Sequence, residues 1–218
     1  MKAELRSGLV DALGQAAVGD GDMVSPSTPE AVVAACRLCH EHRVPITVAS
    51  GDGGQRGVVA GILISLRGLD AVSLDAERGV LRAGAGATLT AVRTAATRAG
   101  MALAAPVDGP GERLGSVVAL GSLPRRAVLS LDLVSSAGVR VRTGSELGKD
   151  VTGYDLTALV LGSHGALAVV IGASLRLVPA AAAASSFPLA RGGREGTITG
   201  LLRRAFDPAG QLRPDLER

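Results

Sequence analysis

Three groups of residues in this chain have the types and spacing that chemistry asks for. Ser50-Gly51-Asp52-Gly53-Gly54-Gln55 directly follows the strand-like run Ile46-Thr47-Val48-Ala49. Glycines clustered at the carboxyl end of a strand let several backbone N–H groups converge on an anion. The same cluster also reads as a plain turn, because glycine is favoured in turns for backbone reasons alone. The second group, Cys36-Arg37-Leu38-Cys39-His40, has the spacing of a c-type haem attachment site, and together with His42 it offers a set of metal ligands. Against both, Thr28-Pro29 starts a helix on which Val32, Val33, Cys36 and Cys39 recur at helical spacing, so the thiols read as small buried core residues. The third is His164 in Gly162-Ser163-His164-Gly165. It has no serine, cysteine or acidic residue in a recognisable triad, which argues against hydrolase chemistry.

The rest of the composition narrows the partners. With 23 Lys+Arg against 20 Asp+Glu in 218 residues, the formal charge is only +3, too balanced to call for a nucleic-acid or membrane-surface partner. Tyr154, Phe187 and Phe206 are the only aromatics, so a module that stacks bases on rings is excluded. Thirty Gly and ten Pro beside 47% hydrophobic residues describe a turn-rich core of Ala, Val and Leu. Glu4, Arg6 and Asp11 interrupt the stretch a signal peptide would need, which makes the cytoplasm the expected compartment. The apolar run 158–175 is broken by Gly162-Ser163-His164-Gly165, so no transmembrane segment is expected.

The elements that must position these residues follow from periodicity and caps. Helices are expected at 2–16 and 29–42, then a strand at 46–49 that runs into the glycine cluster. Further strands are expected at 62–65, 72–75 and 79–84, and Thr88 caps a helix closing at Gly100. Leu114 to Ala119 reads as a short, tightly packed helix of small residues. Val128–Ser135 and Val139–Thr143 flank Ser136-Ala137-Gly138 as a β-hairpin. A short helix near 156, a long strand from Leu167 to Val178, an alanine- and serine-rich linker and a last helix at about 197–206 complete the order.

That order, with KDVTGYDLTALVLGSHGALAVVIGASLRLVP at 149–179, resembles the FAD-binding domain of the vanillyl-alcohol oxidase and p-cresol methylhydroxylase superfamily over about four-fifths of the chain. Within it the chain is most similar to the accessory E-type subunit of glycolate oxidase. The resemblance implies an α+β fold, a two-subdomain FAD-binding domain of the p-cresol methylhydroxylase type spanning 1–179. Its subdomains would be about 22–75 and 79–179, with FAD between them. It assigns Ser50, Gly51, Asp52, Gly53, Gly54 and Gln55 to the pyrophosphate. Leu114, Gly115, Ser116 and Val118, then Lys149, Gly153, Tyr154 and Asp155, and finally Val170 and Ile171, would line the rest of the cofactor. No His or Cys lies in 50–57, so FAD is expected to be held non-covalently.

Three departures from the family pattern are visible. Asp52 puts a carboxylate in the expected phosphate loop. The segment from Gly121 to Val128 is shorter than in relatives. A linker at 180–196 stands where relatives carry a cap domain, and 197–218 forms a terminal helix and tail. There Phe206-Asp207-Pro208-Ala209-Gly210-Gln211-Leu212-Arg213-Pro214 resembles the family's terminal motif. The resemblance implies an FAD-binding subunit of a glycolate-oxidase-like 2-hydroxy-acid oxidoreductase complex, supplying no catalytic side chain and inactive alone. Its partners would be a larger flavin oxidase subunit and an iron–sulfur subunit, or a second copy in a homodimer. The alternative is a non-catalytic assembly subunit that kept the fold and lost the flavin.

Overall fold

The computed structural model describes residues 3–19, 21–50, 61–104, 113–146, 154–182 and 197–213. The glycine cluster at 51–55 and residues 149 and 153 lie outside them.

The first layer begins with α1 (Ala3–Leu13) and α2 (Pro29–Glu41). Thr28 starts α2 as its spacing predicts: the hydroxyl accepts from the Ala31 N–H at 3.1 Å, and Pro29 occupies the first turn, where no N–H is needed. The apolar stripe of α2 buries Val32, Ala35, Cys36 and Cys39 in one core with Leu5 and Leu9 of α1. Burial pushes both thiols up to about 12, so they stay protonated and serve as core volume. Under the helices lies a parallel sheet of β1 (Met23–Val24), β2 (Ile46–Ala49) and β3 (Ile62–Ser65), in the order β1-β3-β2, with β10 (Leu212–Arg213) added on the far side of β2.

A single 3₁₀ turn, Leu66–Gly68, carries the chain into a second, antiparallel sheet. Its path is β4 (Val72–Asp75), β5 (Val80–Gly84), β9 (Val169–Pro179), β7 (Val128–Val134) and β8 (Arg140–Gly144), and β6 (Met101–Leu103) pairs the end of β9. Three helices cover one face: α3 (Leu89–Arg98), α4 (Leu114–Ala119) and α5 (Leu156–Val160). Thr88 caps α3 through the Ala91 N–H at 3.1 Å. The α6 helix (Thr197–Phe206) precedes β10. Among the described residues no helix is long and apolar enough to cross a membrane.

Strand β9 belongs to both cores because its register jumps. Asp132 pairs with Gly172 but Leu133 pairs with Val170, so Ile171 is the extra residue of a bulge. Val169 and Ile171 therefore enter the first core, while Val170, Ala173 and Leu175 remain in the second. The expected division of the chain shifts on two points. Val72–Asp75, expected to close the first subdomain, pairs antiparallel with β5 and so belongs to the second sheet. The terminal tail, set apart from 1–179 in the expected division, supplies a strand to the first sheet through Leu212↔Ile46 and Arg213↔Thr47.

Candidate functional site

The two sheets meet along residues 84–87. Ala85 lies in the first core and Ala87 in the second. Backbone bonds fasten this segment on several sides: the Ala85 N–H donates to the Ile171 carbonyl at 3.0 Å and the Gly86 N–H to the Leu69 carbonyl at 2.9 Å. The start of α4 is laid against the same segment, with the Leu114 N–H donating to the Ala87 carbonyl at 2.9 Å and the Gly115 N–H to the Ala85 carbonyl at 2.8 Å. An Arg113 guanidinium N–H reaches the Gly86 carbonyl.

This brings the carboxyl end of β2 to α4. Ser50, the last described residue before the glycine cluster, is buried, and its hydroxyl lies 2.5 Å from that of Ser116. Between them sits Gly115. A Cβ there would come within 2.9 Å of the Ser50 Cβ and 3.0 Å of the Ala85 Cβ, closer than side chains pack, so only glycine lets α4 approach the strand end. Two hydroxyls and bare backbone thus meet where the 50–55 segment leaves β2, which suits a polar, phosphate-bearing ligand held by backbone and small side chains.

A second polar atom points the same way. The Ser163 hydroxyl is buried with no hydrogen-bond partner, a state that costs about 1–3 kcal/mol unless a ligand atom satisfies it. Its turn is stapled to the far end of α4: the Gly162 N–H donates to the Val118 carbonyl at 3.1 Å and the His164 N–H to the Ala119 carbonyl at 2.9 Å. Helix α4 has six residues and is roughly 9 Å long, so one extended dinucleotide can reach both ends. In the sequence, His164 was the residue weighed in 162–165, and Ser163 was not among the expected cofactor residues. The signal available in the sequence was a serine between glycines just before a long strand; in the structure His164 of this turn has φ 52°, a left-handed conformation rare outside glycine.

The structure places the remaining expected site residues separately. Leu114, Val118 and Val170 are packed into the second core and Ile171 into the first, so their side chains are walls of the seam at most. Asp155 is committed to structure. It caps α5 through the Ala158 N–H at 3.1 Å, and its two oxygens accept from Arg125 Nε at 2.9 and 2.7 Å. That guanidinium, helped by the helix N–H groups, holds its carboxyl below the usual carboxylate range. Tyr154 is 95% exposed, and its ring stands open to a ligand or a neighbour. Gly51, Asp52, Gly53, Gly54, Gln55, Lys149 and Gly153 lie outside the described residues.

The sequence analysis passed over a charged cluster on the face of the second sheet away from its helices. Glu146 accepts from Arg82 Nε at 2.8 Å, from Arg142 at 2.5 Å and from the Ser174 hydroxyl at 2.6 Å. Arg82 above all, then Ser174 and Arg142, lowers its carboxyl to about 2. Arg142 and Glu146 are four residues apart, but Arg82 and Ser174 reach them from distant parts of the chain.

Comparison with known proteins shows the family and the fold. The chain is 31% identical over 170 residues to a D-lactate dehydrogenase of Archaeoglobus fulgidus, covering 72% of this chain and 38% of that one. Identity is 29% over 172 residues to the glycolate oxidase subunit GlcD of Bacillus subtilis, covering 72% and 37%. It is 34% over 119 residues to the glycolate oxidase subunit GlcE of Escherichia coli, covering 50% and 34%. The chain thus spans well under half the length of these relatives. Among solved structures, Phl p 4, a grass pollen allergen with glucose dehydrogenase activity, superposes with a TM-score of 0.59 at 17% identity, over 82% of this chain and 40% of that one. Alkyldihydroxyacetonephosphate synthase gives 0.58 at 19%, over 72% and 34%, and both likenesses show the fold. Residues 23–144 match the family described as the FAD binding domain, and the chain therefore belongs to that family, with FAD as its cofactor.

Proposed function

We propose that the chain is the FAD-holding subunit of a glycolate-oxidase-like complex that oxidises 2-hydroxy acids. The observation that carries this reading is the junction of Ser50, Gly115 and Ser116 at the seam of the two sheets, where a Cβ at 115 would close the approach. In this reading the 50–55 segment and the start of α4 hold the pyrophosphate non-covalently, the Ser163 hydroxyl donates to a polar atom of the cofactor, and Val170 and Ile171, whose side chains enter opposite cores, back the seam through the strand that carries them. Bound FAD supplies two-electron acceptance, which oxidation of a 2-hydroxy acid to its 2-oxo acid requires.

The protein's part is binding and orientation. Orienting a small 2-hydroxy acid and excluding water needs walls on both sides of the reacting centre, and residues 1–179 with the tail provide one side. The other side belongs to a partner: a larger flavin oxidase subunit, with an iron–sulfur subunit as electron acceptor. The two relatives named as glycolate oxidase subunits support assembly with a further subunit. The test is dye reduction driven by glycolate or D-lactate, measured on the purified chain sized by light scattering. Negligible turnover by the chain alone, with turnover when the partner subunit is added, is the expected result. A monomer that oxidises either acid at enzymatic rates by itself overturns the subunit reading.

A further inference from the structure

The tail that closes the first sheet is held by an unusual amount of specific bonding for its length. Asp207 is buried and accepts from the Gln211 N–H at 3.0 Å and the Leu212 N–H at 2.8 Å, while the Gly210 N–H donates back to the Asp207 carbonyl at 3.0 Å. Arg203 donates to the Leu212 carbonyl at 2.7 Å. The tail is therefore folded on itself, and what it presents to the first layer is Gln211. That side chain is 4% exposed. Its Nε2 donates to the Cys39 carbonyl, in the last turn of α2, at 3.0 Å and to the Val44 carbonyl, in the link from α2 to β2, at 3.1 Å. Its Oε1 lies 2.6 Å from His40 Nδ1; since the amide oxygen can only accept, that ring nitrogen carries the proton. The backbone joins in, with the Ile46 N–H donating to the Gln211 carbonyl at 2.7 Å. Ile46 opens β2, and four residues later the chain reaches Ser50.

We propose that segment Phe206–Leu212 positions β2, and through it the cofactor-holding end at Ser50, with Gln211 as the positioning residue that ties the α2 end to the β2 start. Without the tail, β2 is an edge strand bound on one side only, and its carboxyl end is free to shift relative to Ser116. Gln211 touches no part of the Ser50–Ser116 junction, so its effect on FAD is transmitted by strand position. This inference rests on the reading that the junction holds FAD.

The test uses the full chain and its Gln211→Ala variant, with Gln211→Asn, whose shorter amide cannot span both carbonyls, in reserve should the alanine variant fail to fold. FAD affinity is read from flavin fluorescence well below the melting temperature, and amide exchange is read at residues 46–49 without FAD. The variant is expected to exchange these amides faster and to bind FAD roughly tenfold more weakly, the effect of losing one buried hydrogen-bonding group. A purely structural tail would lower the melting temperature while leaving the affinity of the folded protein unchanged, and that result overturns the proposal, as does unchanged exchange at 46–49. If the unaltered chain binds no FAD, the functional reading fails, and unchanged β2 exchange in the variant then rejects the tail's hold on the strand separately.

Discussion

Glu146 shows how much a single side chain holds here, because Arg82, Arg142 and the Ser174 hydroxyl all donate to its one carboxylate. Its carboxyl titrates at about 2 in the folded chain instead of the ordinary 4.5. A depressed folded value means that the stabilisation is complete above 4.5, where both folded and unfolded forms are ionised. It is lost as pH falls through that range toward 2, because the unfolded chain takes up the proton first. Urea unfolding followed by circular dichroism at a series of pH values should therefore show a fall in stability across this interval. Gln at position 146 should flatten that part of the curve and cost about 1–3 kcal/mol near neutral pH, where it strands two arginines. A Glu146→Gln protein with the same acid profile as the parent would show that the cluster is solvated and contributes nothing. The cluster was not legible in the sequence, since Arg82 and Ser174 reach Arg142 and Glu146 only once β5, β9, β7 and β8 have paired.

At the scale of elements, local signals were read well and pairings poorly. Thr28-Pro29 and Thr88 fixed two helix starts, and Ser136-Ala137-Gly138 fixed the β7–β8 turn, because caps and turns are decided within a few residues. The membership of β4 and the return of β10 to β2 were not legible: both depend on which distant strand offers a free edge. The hairpin also joins the two layers, in a way its sequence does not announce. Arg140 bridges Asp132 of β7 at 2.6 Å and Glu30 of α2 at 2.9 Å, while a Cβ on Gly138 would meet the Arg37 nitrogen and Val33 carbonyl of α2, both at 2.8 Å. Two contacts at one interface predict different costs. Exposed ion pairs contribute about 0–1 kcal/mol, so Arg140→Ala should move the unfolding midpoint little. Gly138→Ala adds a backbone clash at φ 73° and should cost about 1–3 kcal/mol. Equal effects of the two substitutions would mean that the layers are held by charge and not by close approach.

For the whole molecule, the sequence carried the family further than the site. The 149–179 block and the glycine cluster pointed to a flavin fold, yet of the expected cofactor residues among those described, Ser50, Gly115 and Ser116 meet at the seam while Leu114, Val118 and Val170 are packed in the second core. Spacing alone does not say which residue of a strand faces which core; the bulge at Ile171 decides that for Val170 and its neighbour. Ser163 was missed because an unpaired hydroxyl is a property of packing, not of sequence. The central claim is that the seam between the two sheets holds FAD without a covalent bond. Its most direct test is a titration of the purified chain, stripped of any flavin by mild denaturation and refolding, with FAD. Flavin fluorescence and melting temperature are followed for the parent and for Gly115→Val, whose branched side chain fills the approach between Ser50 and Ala85. The parent is expected to bind stoichiometrically, with a melting temperature that rises with FAD concentration, and the folded variant to show neither effect. A parent chain that stays colourless and unshifted, or a folded variant that binds FAD as well as the parent, would contradict the account.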